Sequence, residues 1–173
     1  MSYSANEIAT LAQKAARGAG FPPHQAQIFG AATVQFLASG GEAQALLDAL
    51  ADPDDSPILR LPLLVEDIQR AVDLAGPEIT LTLQPGDKAL APAYARLTAL
   101  HITRAELGQS EDGLPRLCLD TAPVQGAAPT LPPRIAADPA LIDRLSTLAA
   151  LTYVPATDSS RSAGAGAGDI DND

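Results

Sequence analysis

The sequence predicts an α+β fold: an N-terminal helical subdomain, a small mostly antiparallel sheet, one closing helix and a C-terminal tail. Three observations point there. Apolar residues recur at helical spacing from Ile8 through Ala75. The period then drops to two at Ile79, Leu81 and Leu83, and again around Cys118. Aromatics make up only 3% of the chain and Trp is absent, so Leu and Ala fill the core, which favours close-packed helices over a large sandwich. At 173 residues and 46% apolar, the chain supports one domain with a sizeable core. That domain spans 1–155, divided into a helical part (1–76), a sheet part (77–122), a Pro-rich linker (123–133) and a closing helix (138–152). Residues 156–173 are a Gly/Asp-rich tail.

The first helix opens with Ser4 and Glu7, a capping box that satisfies two amide donors at the helix start. Ile8, Leu11, Ala12, Ala15 and Ala19 form its apolar stripe, and Gly18 and Gly20 stop it. Phe21-Pro22-Pro23 starts a second helix, because a proline in the first turn loses no hydrogen bond. Its stripe is Phe29, Ala32, Thr33, Phe36 and Leu37, ended by Gly40-Gly41, and a third helix carries Ala43, Leu46, Leu47 and Leu50. The connections are short enough to make these neighbours roughly antiparallel. After the solvated loop Asp52–Pro57, a fourth helix is expected from Pro62 to Ala75, with Leu64, Ile68, Ala71, Val72 and Ala75 on one face and Gly76-Pro77 as terminator.

In the sheet part, Ile79–Leu83 reads as a half-buried strand followed by a turn at Pro85-Gly86-Asp87. Two further strands, Arg96–Glu106 and Leu114–Thr121, form a hairpin through the Gly108–Gly113 loop. The start of the first also fits a helix, through Ala93, Leu97 and Leu100. Four prolines between Pro123 and Pro133 stiffen the linker. Asp138 or its neighbour caps the closing helix, Pro139 to about Leu151, with Leu141, Leu145 and Leu148 inward.

Charge narrows the partners. Lys plus Arg is 11 against 21 Asp plus Glu, a net charge of −10. The arginines are scattered and no basic face can be drawn, which argues against nucleic acid and against an anionic membrane surface. Cys118 stands alone, so neither an intramolecular disulfide nor a Cys-rich zinc site is expected. The N-terminal residues lack the basic and apolar regions of a signal peptide, and no apolar run matches a membrane span. A soluble cytoplasmic protein is the expectation, and the Ala-rich, Arg-over-Lys usage suggests a bacterial one.

Two stretches resemble a known family. One is Asn6-Glu7-Ile8 running into Lys14-Ala15-Ala16-Arg17-Gly18-Ala19-Gly20. The other is the ending Tyr153-Val154-Pro155 to Gly164-Ala165-Gly166-Ala167-Gly168 and Asp171-Asn172-Asp173. Together they are similar to an uncharacterised bacterial family of unknown function, a resemblance that implies no activity, ligand or catalytic residue. Residues 5–50 also resemble the helical start of the malate/lactate dehydrogenases that lack a Rossmann fold, although that family's Ser-His-Gly segment is absent here.

Candidate sites are few. Asp169, Asp171 and Asp173 copy the first three oxygen ligands of a calcium loop, but the turning Gly and bidentate Glu do not follow; an acidic solvated tail is the alternative reading. Gly164, Gly166 and Gly168 have no Lys-Ser or Lys-Thr after them, so a phosphate loop is not supported. His24 falls in the first turn of the second helix, where the dipole disfavours its cation; it reads either as an ordinary surface histidine or as a neutral imidazole available as base or ligand. Arg17 closes the first helix and could bind a carboxylate, and Arg161 lies beside Ser159-Ser160 in the tail. Cys118 and His101 have no partner motif.

No catalytic residue and no cofactor is assigned. The expected function is a non-enzymatic protein acting through protein contacts, as a homodimer or with another protein, with the tail as an assembly arm. The alternative is a small-molecule binding protein or enzyme. It would hold a carboxylate metabolite between the helical and sheet parts through Arg17, His24 and Arg161, with the tail as lid.

Overall fold

The computed structural model describes residues 1–122 and 131–152. Part of the linker (123–130) and the tail, with Arg161, Asp169, Asp171 and Asp173, lie outside the described residues. The fold is α+β. Four helices come first: α1 (Ala5–Gly18), α2 (Pro23–Ala38), α3 (Ala43–Ala51) and α4 (Pro57–Ala75). Ahead of α1 lies a short strand, β1 (Ser2–Tyr3). Beyond α4 come β2 (Glu78–Thr82), a 3-10 turn (Pro85–Asp87), the single-turn helix α5 (Ala91–Ala95), β3 (His101–Gln109), β4 (Pro115–Ala122), β5 (Ile135–Ala136) and α6 (Pro139–Ala150).

The local chemistry at α1 is as expected. The Glu7 amide donates to Ser4 Oγ at 3.2 Å, and the Ser4 amide donates back to the Glu7 carboxylate at 2.7 Å. Those bonds hold the Glu7 carboxyl below its ordinary pKa, the backbone donor of Ser4 contributing most. The helices then pack at very short range, which is what the Ala-rich composition permits. A Cβ placed on Gly30 of α2 would stand 2.5 Å from the Ala9 carbonyl oxygen of α1. One placed on Gly18 would stand 1.8 Å from the Leu148 carbonyl oxygen of α6. Around these crossings Ala12, Ala15, Ala16, Ala26 and Ala32 are buried, with Phe21, Phe29 and Phe36 as the large members of the core.

Two expectations need correction, and one strand pairing lies outside them. The fourth helix begins at Pro57, not Pro62. Ser56 Oγ accepts from the Ile58 amide at 3.1 Å and itself donates to the Ala49 carbonyl, fixing a cap that allows Pro57 the first helical position. Pro62 then sits buried inside α4. It removes one amide from the ladder, a loss that packing against the core offsets. The strand expected from Arg96 starts at His101, because Ala91, Ala93, Tyr94 and Ala95 are buried together on the single turn of α5. Finally, β1 pairs antiparallel with β5, Tyr3 opposite Ile135, and joins the chain start to the segment before α6.

The main sheet has the order β2-β4-β3, all antiparallel, with β4 in the centre. Leu117 and Leu119 of β4 and Ile79 of β2 face the core. Thr80, Cys118 and Glu106 line up in one row of the opposite face, and Glu78, Asp120 and Arg104 in the next. The register shifts between Ile102 and Arg104, and Thr103 Oγ1 donates to the Asp120 carbonyl there at 3.0 Å.

Candidate functional site

A cleft of about 560 Å³ opens where the helical part meets the segment leading from β2 into α5. Ala45, Asp48 and Ala49 of α3, Asp55 ahead of α4, Pro57 and Arg60 in its first turn, and Gln84, Pro85, Gly86, Ala89 and Leu90 line it. Its chemistry centres on Arg60. The guanidinium approaches both oxygens of Asp87, with Nη2 to Oδ1 at 2.7 Å and Nε to Oδ2 at 3.2 Å, and Nη1 donates to Asp55. Asp87 is 4% exposed, whereas a third of Arg60 remains open. The Asp87 bonds raise the Arg60 pKa against a smaller opposing effect of burial.

Tyr94 of α5 is buried next to this pair, and its hydroxyl has no hydrogen-bond partner among the described residues. Burial first, and the nearby Asp87 charge second, raise its pKa above the ordinary tyrosine value. The arrangement is a two-toothed clamp between α4 and the β2–α5 segment. On the lining itself Asp48 and Asp55 stand against Arg60, whose charge the buried Asp87 already engages, so the cleft has an excess of negative charge.

A second groove, about 440 Å³, runs between α1 and α6, with Glu7, Leu11 and Lys14 on one wall and Ser146 and Ala149 on the other. A third feature is the outward face of α4. There Leu63 and Leu74 are open to solvent, flanking Glu66, Asp67 and Arg70. Arg70 Nη2 meets Glu66 at 3.0 Å and Arg70 Nη1 meets Asp67 at 3.2 Å, both within the helix.

The structure places the sequence candidates apart from the cleft. Arg17, at the end of α1, donates through Nη1 to the Phe21 carbonyl at 2.8 Å, bracing the turn into α2. His24 is exposed in the first turn of α2. Neither lines the cleft. Cys118 is half-buried on the outer sheet face, its Sγ accepting from Thr80 Oγ1 at 3.7 Å, and His101 starts β3 opposite Ala122.

Sequence reasoning missed Arg60 and Asp87, which lie 27 residues apart and carry no motif. It also missed the α4 face, for which a signal existed: Leu63 and Leu74 fall off the inward stripe of Leu64, Ile68, Ala71 and Val72. Among the described residues no group of three or more His, Cys, Asp or Glu could hold a metal ion, and no helix is long and apolar enough to cross a membrane. Comparison with protein-family models, curated proteins and solved structures finds no match.

Proposed function

We propose that this is a bacterial cytoplasmic protein that works through protein contacts, by association with itself. The observation that carries the reading is the outward face of α4, where Leu63 is 61% and Leu74 88% exposed on one helix whose inner face buries Ile58, Leu61, Leu64 and Ile68 in the core. Isolated exposed leucines are ordinary on a surface; two on one stripe, flanking a charged centre, have the pattern of an interface with mixed polarity. The scatter of nucleophile- and base-type side chains, with Cys118 on the outer sheet face, His101 at its edge and His24 at the α1–α2 turn, supports a binding role over a chemical one. The lone cysteine, with no second one to pair with in the chain, fits a reducing compartment.

Sedimentation of the full chain over a wide concentration range tests the reading. A concentration-dependent mass above the monomer supports it, and a monomer throughout refutes it.

The cleft favours one alternative, a small-molecule binding protein. Because Arg60 already holds two carboxylates and Asp48 stands nearby, a cationic amine or guanidine suits the site better than the carboxylate expected from sequence. A thermal-shift panel of amines and carboxylates decides it. A ligand at 100 times its dissociation constant adds about 2.7 kcal/mol, a clear rise in midpoint.

A further inference from the structure

We infer that the partner of the α4 face is the α4 face of a second copy, packed antiparallel about a two-fold axis; this rests on the self-association reading and gives it an address. The argument is one of symmetry. Leu63, Asp67, Arg70 and Leu74 follow one another at intervals of four, three and four residues, the spacing of a seam along which two helices pack side by side. All four are open: the side chains of Asp67 and Arg70 are 56% and 67% exposed, between the two exposed leucines.

Placing the two-fold axis level with the middle of this row, between Ile68 and Gln69, sets Leu63 against the partner's Leu74 and Leu74 against the partner's Leu63. The same operation sets Asp67 against the partner's Arg70 and Arg70 against the partner's Asp67. The sequence along the seam is thus complementary to itself when reversed, which is what an isologous contact requires. A parallel pairing would put Asp67 beside the partner's Asp67 and Arg70 beside the partner's Arg70, so like charges reject it.

The charged centre is already arranged for the exchange. Arg70 holds Asp67 and Glu66 on its own helix, so its guanidinium is at the height where the partner's carboxylate arrives. The apolar ends provide the burial and the charged centre sets the register and direction. The seam covers three helical turns, at the small end of specific interfaces, so the association is expected to be weak and to depend on concentration.

Sedimentation equilibrium on four samples of the full chain tests this: wild type, Arg70→Glu, Asp67→Arg, and an equimolar mixture of the two variants. Arg70→Glu leaves both charged positions of the seam acidic and Asp67→Arg leaves both basic, with Glu66 beside them unchanged, so each variant alone is expected to associate at least tenfold more weakly than wild type. Mixed, the acidic face meets the basic one and association returns to wild-type strength or better, an outcome no folding defect produces. The α4 seam is overturned if the variants dimerise as tightly as wild type, or if mixing restores nothing. In either of those cases a dimeric wild type leaves the self-association reading standing, whereas a wild type that is monomeric at every concentration removes both.

Discussion

Replacing Gly18 by alanine sets helix propensity against packing. In an isolated helix the change stabilises by about 1 kcal/mol, because glycine loses the most backbone freedom on folding. Here the new Cβ would stand 1.8 Å from the Leu148 carbonyl oxygen and 2.8 Å from its carbon. Ordinary carbon–oxygen contact is roughly 3.3 Å, so α6 would have to withdraw from α1 by more than an ångström. That movement loosens Leu141, Leu145 and Ala149, the buried face of α6. A gap wider than an ångström forfeits roughly half or more of the dispersion contact along the interface, and overpacking of this kind costs about 1–3 kcal/mol or more. We therefore expect Gly18→Ala to lose about 2–3 kcal/mol in urea unfolding followed by circular dichroism, and its thermal midpoint to fall by roughly 5–10 °C. Gly30→Ala, with its Cβ 2.5 Å from the Ala9 carbonyl, should behave alike. Gly108→Ala is the control: it lies in β3 with nothing within 4 Å of the added carbon, so the change should stay within about 0.5 kcal/mol. A Gly18→Ala protein as stable as wild type would refute the close packing of α6 on α1.

Three further outcomes follow from the same contacts. Arg60→Ala leaves the nearly buried Asp87 carboxylate without its partner and should cost about 2–3 kcal/mol, the one-third exposure of Arg60 keeping this below the range for a fully buried pair; chemical denaturation measures it, and an unchanged midpoint would count against the clamp. Tyr94 has its pKa raised by burial, so its neutral form is held in the folded state and the associated stability is complete below the ordinary value of 10.0 and is lost as the solution becomes more alkaline. Ultraviolet titration should therefore show Tyr94 ionising only above its ordinary value and together with unfolding; a complete tyrosinate signal near pH 10 in folded protein would contradict this. Glu7 has a lowered pKa, so the capping-box stability is present above its ordinary value of 4.5 and lost as pH falls through the lowered folded value. In Glu7→Gln that acid-linked loss should shrink, which melting curves between neutral pH and pH 3 would show.

Local signals survived translation into the fold where they are self-contained. Ser4 and Glu7 cap α1 through bonds only three residues apart, and the alternation of Leu117 with Cys118 and Leu119 fixed the central strand because a one-residue slip would bury the wrong face. Boundaries failed where distant packing decided them. Pro62 reads as a helix start, yet the cap that starts α4 is Ser56, held by the Ala49 carbonyl of another helix. Arg96–Leu100 was open to two readings, and burial of Tyr94 against the core favoured a turn of helix before the strand. The β1–β5 pairing joins two-residue segments from the chain start and from the stretch before α6, too short for any periodicity. Arg17 looked like a ligand group because a free guanidinium at a helix end has that capacity; the fold turns one of its arms to the Phe21 carbonyl. The α4 seam was legible in principle, since its leucines contradict the inward stripe, but only the exposure of Asp67 and Arg70 between them shows a continuous open row.

The most direct measurement is the mass of the unmodified 173-residue chain by sedimentation equilibrium, from low micromolar to near-millimolar concentration. Self-association through α4 requires the weight-average mass to climb from 17.7 kDa toward twice that value, and to climb less steeply in high salt as the Asp67–Arg70 pairs are screened. A mass fixed at 17.7 kDa over the whole range would contradict it.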